Sequence, residues 1–137
     1  MLIASDSPWV LEEVRSLLGG RPDLAVREVT SGAAVLPSVV EDEPDLVIVD
    51  QQMGNMGGIA TCLDLRLEEG ADRIGHVPVL LLLDRRADVF LAKRAGAEGW
   101  ILKPLDPIRM RKAVAALLDG ETYHDNSYLP PDVAPAV

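Results

Sequence analysis

Cysteine is almost absent from this chain. Cys62 is the only one in 137 residues, so no internal disulfide can form, and such usage fits a reducing compartment. Basic residues are also scarce: 13 Lys and Arg stand against 22 Asp and Glu, for a net charge of -9. A surface that neutralises nucleic-acid phosphates needs clustered cations, so this balance argues against nucleic acid and permits a basic partner or a bound cation. Long apolar runs are missing as well. The longest, Val77 to Leu83, falls far short of the roughly 20 residues of a membrane-spanning helix. The first residues enter a strand with no charged leader before them, which together with the other absences leads us to expect a cytoplasmic protein without membrane contact. His76 and His124 fall in expected loops and give no basis for a metal site.

What remains is 48% hydrophobic and 26% charged, enough for one domain with a proper core. Short apolar runs alternate with segments of helical period. Leu2 to Ala4 reads as a strand, and Ser7-Pro8 opens a helix that buries Val10, Leu11, Val14, Leu17 and Leu18 and stops at Gly19-Gly20. Leu24 to Val29 alternates like a strand with one covered face. A helix from Ser31 through Val40 contains Pro37, which predicts a late start or a kink. Asp45 to Val49 has no polar alternation after its first residue and predicts a strand buried on both faces. The rest predicts a loop over Gln51 to Gly58, a helix near Ile59 to Glu68, a strand over Pro78 to Leu83, a helix near Ala87 to Ala95, a strand over Gly99 to Leu102 and a helix from Asp106-Pro107 to Leu118. Residues 120–137 lack helical period, contain Pro130, Pro131 and Pro135, and are expected to form a flexible tail after a domain of residues 1–119.

The expected architecture is therefore α/β: a doubly wound, five-stranded parallel sheet with five helices and right-handed crossovers. Sites in such sheets form beyond the carboxyl ends of the strands. Those ends carry Ser5-Asp6, Asp50, Leu83-Asp84 and Lys103-Pro104. A strand-end aspartate is more often a cap or loop residue, and a Lys-Pro pair more often a solvated turn. Joint placement on one βα series favours chemistry. Asp6 and Asp50 would converge and attract a divalent cation, and Lys103 would supply a mobile positive charge, which are the parts of phosphoryl transfer to a carboxylate.

Three segments in order carry a family likeness over about residues 1–119. PDLVIVDQQMGNMGG (44–58) resembles the phosphoacceptor strand and loop of response-regulator receivers, the CheY-like domains of two-component phosphorelays. AGAEGWILKP (95–104) is similar to their fifth-strand segment, and SDSP (5–8) to their acidic N-terminal turn. The resemblance implies a flavodoxin-like receiver fold with Asp50 accepting phosphate from a sensor histidine kinase or phosphotransfer protein. It implies Mg2+ held by Asp6, Asp50 and the main-chain carbonyl of Gln52, Lys103 pairing with the phosphoryl group and followed by a cis peptide to Pro104, and Trp100 as the switch aromatic. The alternative for Trp100 is a half-buried surface ring, held equally.

The chain departs from that pattern at several positions. Ser5 replaces one acid, so Mg2+ should bind weakly. Leu83 stands where the family has a hydroxyl donor for phosphate. Asp84 follows it, and capping of the fourth helix is its favoured role, with Arg85 and Arg86 able to offset its charge. Gly54-Asn55 replaces a proline and glycine and is expected to loosen the loop.

By the same resemblance, output would run by protein contact through the fourth helix, fifth strand and fifth helix, with Lys93, Arg94, Trp100, Arg109 and Arg111 on that face. Ala113 stands where one subgroup has a dimerising arginine, which leaves only a different homodimer open. The leading expectation is a stand-alone receiver that is not an enzyme. Its rivals are a phosphorylation-independent adaptor and, more remotely, an aspartate-nucleophile phosphatase. The last is disfavoured because Gln52 stands where that chemistry needs an acid. A flavin binder is disfavoured because no phosphate-cradling loop follows the first strand.

Overall fold

A computed structural model describes residues 1–19, 21 and 23–127. Six strands and five helices alternate: β1 (Leu2–Ala4), α1 (Pro8–Leu17), β2 (Arg27–Val29), α2 (Val35–Glu41), β3 (Val47–Asp50), α3 (Gly58–Gly70), β4 (Val79–Leu83), α4 (Asp88–Arg94), β5 (Gly99–Leu102), α5 (Pro107–Leu118) and β6 (Tyr123–His124). All neighbouring pairs are parallel, in the order β2-β1-β3-β4-β5-β6. The order reverses beside β1, so the ends of β1 and β3 flank the natural crevice of such a sheet.

Side-chain alternation along the strands builds two cores from one sheet. Leu2, Val47, Val49, Val79, Leu81, Leu83, Trp100 and Leu102 pack on the face that also carries Val35, Val39, Cys62, Leu65, Val89 and Ala92 from α2, α3 and α4. Ile3, Ile48, Leu80, Leu82 and Ile101 point the other way, against Val10, Leu11 and Val14 of α1 and Met110, Ala113, Val114 and Leu117 of α5. Central strands covered on both faces explain the unbroken apolar runs.

Local chemistry sets several boundaries. Ser7 is extended ahead of Pro8 at the start of α1, but its side chain makes no capping bond. Ser31 accepts from the Ala34 amide at 3.2 Å and opens a 3-10 turn, Gly32–Ala34, that runs into α2. Pro37 lies in the first turn of α2, where a missing N–H costs nothing. Asp106 caps α5 by accepting from Ile108 N at 2.8 Å. The β2 strand is shorter than its sequence pattern predicts because β1, its only partner, pairs over just Leu2 to Ala4.

The larger correction lies after α5. Among the described residues the sheet has six strands where five were expected, because Tyr123–His124, within the stretch expected to be a tail, pair with β5; residues 128–137 lie outside the described residues. Tyr123 N donates to Glu98 O at 3.1 Å, and Asp125 N to Trp100 O at 3.2 Å. The Asp125 carboxylate is buried and accepts from Leu102 N at 2.9 Å and Ser127 N at 2.9 Å. His124, expected in a loop, lies in β6 and stacks on Trp100 with ring centroids 4.2 Å apart and planes 3° from parallel. Trp100 is consequently buried, at 1% exposure, and is no half-exposed surface ring.

Partial desolvation of His124 against this stack, and then the nearby Lys93 ammonium, hold the imidazole below its ordinary value of 6.5. The unfolded chain then binds the proton more readily than the folded one, so the stabilisation is complete above that value and declines as pH falls through it. In a Trp9→Phe protein, where Trp100 is the remaining tryptophan, emission should shift to the red as pH is lowered from about 8 to about 5. His124→Gln should abolish the shift; an unchanged spectrum in the parent would refute the coupling.

Candidate functional site

The carboxyl ends of β1, β3, β4 and β5 meet at one edge. Asp50, the last residue of β3, is fully buried there. A buried carboxylate needs a counter-charge and a full set of donors. Lys103, next after β5, brings its Nζ to 2.6 Å from Asp50 Oδ1. The Gln52 amide donates to the same oxygen at 3.1 Å, and the Ser5 hydroxyl donates to Oδ2 at 2.8 Å. Ser5 is oriented by the Ser7 amide, which donates to its Oγ at 3.1 Å. Ser5 is thus a direct ligand of Asp50 and more than a missing acid.

Asp84 does not cap α4. The N-cap of that helix is Ala87, with no side-chain capping bond, and Asp84 turns toward Lys103, with Oδ1 at 3.2 Å and Oδ2 at 3.5 Å from Nζ. A cation within reach outweighs the helix end. One ammonium therefore serves two carboxylates. Arg85 is engaged elsewhere, by Asp88 at 3.1 Å. Lys103 is joined to Pro104 by a cis peptide.

Asp6 stands apart from this cluster. Its Oδ2 accepts from the Gly54 amide at 2.8 Å, which pins a loop that the Gly54-Asn55 pair was expected to loosen. Deeper in that loop, a Cβ at Gly58 would lie 3.0 Å from Asp50 O, and one at Gly57 2.8 Å from Gln51 O, so both glycines permit close approach to the strand end. Gln51 accepts from Ile59 N at 2.7 Å and anchors the start of α3. Leu83 is buried in the core face with Val89 and Trp100 and does not line the cleft over Asp50.

That cleft has a volume of about 340 Å³ and is bordered by Trp9, Glu13, Asp50, Gln52, Asp84 and Lys103. Asp6 borders a neighbouring cavity of about 280 Å³ with Thr30, Ser31 and Asn55. Among the described residues no group of three or more His, Cys, Asp or Glu could hold a metal. Asp6 and Asp50 border different cavities, and both Asp50 oxygens already accept, from Lys103, Gln52 and Ser5.

Sequence reading located Asp6, Asp50, Lys103, Ser5 and Asp84 at this edge. It missed the pairing of Asp84 with Lys103 and the bond from Ser5 to Asp50, since both depend on rotamers. No described helix is long and apolar enough to cross a membrane.

Residues 1–115 match the family model described as the response regulator receiver domain. The nitrate/nitrite response regulator protein NarL of Escherichia coli K12 is 30% identical over 122 residues, covering 88% of this chain and 55% of that protein. The DNA-binding response regulator MtrA of Mycolicibacterium smegmatis is 32% identical over 121 residues, covering 86% and 50%. This chain thus spans about half the length of the curated relatives it matches. Among solved structures, a LuxR-family two-component response regulator from Aurantimonas superposes with a TM-score of 0.78 at 28% identity, covering 96% of this chain and 89% of that one. The receiver domain of a signal transduction histidine kinase from Syntrophus aciditrophicus gives a TM-score of 0.74 at 27% identity, covering 99% and 97%. Motif order, strand order and the family match agree: this chain belongs to the response regulator receiver domain family of two-component signalling.

Proposed function

We propose that Asp50 accepts a phosphoryl group from the phosphohistidine of a sensor kinase or phosphotransfer protein, in the cytoplasm, and that output runs by protein contact. The observation that carries this reading is the Lys103 ammonium 2.6 Å from Asp50 Oδ1 at the floor of an open cleft. An Asp50 oxygen would attack phosphorus as the P–N bond of the donor breaks, and the bonding pair would leave with the imidazole. Lys103 would follow the charge from the carboxylate to a phosphoryl oxygen. Asp6, Asp50 and the Gln52 carbonyl would hold Mg2+ weakly, and that ion would supply further positive charge. Trp9, 71% exposed at the cleft's rim, offers an apolar landing for a donor. Phe90 and Leu91 of α4 and Ile108 of α5 are exposed and supply apolar area for an output partner, or for a second copy.

A second reading, a receiver-like adaptor that works without phosphate, is favoured by the same cluster. Lys103, Gln52 and Ser5 already satisfy Asp50, and Leu83 and Trp100 are locked in the core. The readings separate on incubation with acetyl phosphate and Mg2+ followed by intact-mass measurement. The first requires a single phosphoryl adduct that Asp50→Asn abolishes; absence of any adduct, with the chain folded, leaves the adaptor.

Asp84 competes with an incoming phosphoryl group for Lys103 and repels it. Asp84→Ala should therefore speed adduct formation about tenfold, equivalent to about 1.4 kcal/mol of barrier. An equal or slower rate would show that Asp84 does not oppose entry.

A further inference from the structure

The sixth strand is a short cover on an edge that has its own recognition chemistry. Along β5, Glu98 O and Trp100 O accept from a neighbouring strand and Leu102 N donates. Beside this row lie the Trp100 ring, the Lys93 ammonium 5.8 Å from its centroid, and the Arg109 guanidinium of α5. Residues 123–125 fill the row by main-chain pairing, a stacked imidazole and a carboxylate, but the fit is incomplete. Asp125 Oδ2 stops 3.9 Å from Arg109 Nε, beyond hydrogen-bond reach. Arg109 Nε and Trp100 Nε1 are both buried without a hydrogen-bond partner among the described residues. An orphaned donor on Arg109 with a carboxylate just out of reach carries a cost that a better-fitting segment would remove.

We propose that the β5 edge is a strand-addition site for an extended acidic segment of a partner protein, with residues 121–127 as its built-in, weaker occupant. The partner segment carries a ring side chain where His124 stands, followed by glutamate where Asp125 stands. One added methylene extends the carboxylate by about 1.5 Å, enough to reach Arg109 Nε from the position of Asp125. Pairing through main-chain groups supplies affinity, and the ring and carboxylate supply selection. The internal strand pairs over only Tyr123 and His124, so an incoming segment has little to displace. This inference stands apart from the chemistry at Asp50.

The test uses the full chain with Trp9→Phe, so that Trp100 reports alone. His124→Ala with Asp125→Ala in that chain loosens β6. The probes are two synthetic peptides: residues 120–127 as they stand, and the same peptide with Asp125→Glu. Both should bind and shift Trp100 emission, the glutamate peptide at least threefold more tightly, and Arg109→Gln in the host should erase that difference. A parallel measurement avoids any folding defect in the loosened host: Asp125→Glu in the otherwise unaltered chain should slow exchange of the Leu102 amide at least threefold. Equal peptide affinities, no binding to a host whose Leu102 amide exchanges freely, or unchanged or faster Leu102 exchange in the Asp125→Glu chain would overturn the proposal. So would light scattering that shows the chain dimerising by exchange of this segment, since a second copy would then be the occupant.

Discussion

A carboxylate at the end of a fully covered strand keeps its charge only with a cation and donors in contact, and at Asp50 that cation is Lys103. The 2.6 Å pair spans β4, which lies between the two strands in the sheet. It therefore requires β3, β4 and β5 to be parallel, in that order and in register, so that their carboxyl ends coincide. Every other feature of the edge is arranged around this pair. Ser5 and the Gln52 amide donate to the same carboxylate, Asp84 adds a second anion to the same ammonium, and Asp6 stays at the rim on the Gly54 amide. Three carboxylates and one ammonium leave the edge net negative.

The β5 strand links this edge to the far side of the sheet. Lys103 donates its amide to Leu83 O at 2.8 Å, while Leu102, one residue earlier, donates to Asp125 at 2.9 Å. Trp100 and Leu102 share a core face with Leu83. The strand that holds the counter-cation of Asp50 is thus the strand that β6 completes, and its one large ring is covered by His124. In this chain Trp100 is a packed core residue with a charged neighbour, Lys93.

Much of this was legible in the residues. The runs at Asp45–Val49, apart from its first residue, and Pro78–Leu83 announced doubly covered strands because they hold no polar alternation, and the caps at Ser31 and Asp106 announced helix starts. The strand-end positions of Asp6, Asp50 and Lys103 followed from the βα alternation. The role of Asp84 was not legible. A cap and an ion pair look alike in sequence, and the choice between them depends on the distance to a lysine 19 residues away. The same holds for β6: Tyr123 and His124 have no apolar alternation to mark a strand, because their pairing partner is an edge and their stabilisation comes from one ring stack and one buried carboxylate.

The sequence by itself determined the layers, the order of elements and the residues delivered to the strand ends, because hydrophobic periodicity and turn chemistry act over a few neighbouring residues. Only the tertiary structure decided which charges meet there, how Ser5 and Asp84 share in the Asp50–Lys103 pair, and that Tyr123–His124 add a sixth strand. Those outcomes rest on contacts between segments far apart in the chain, where side-chain reach within a few tenths of an ångström separates a bond from a gap.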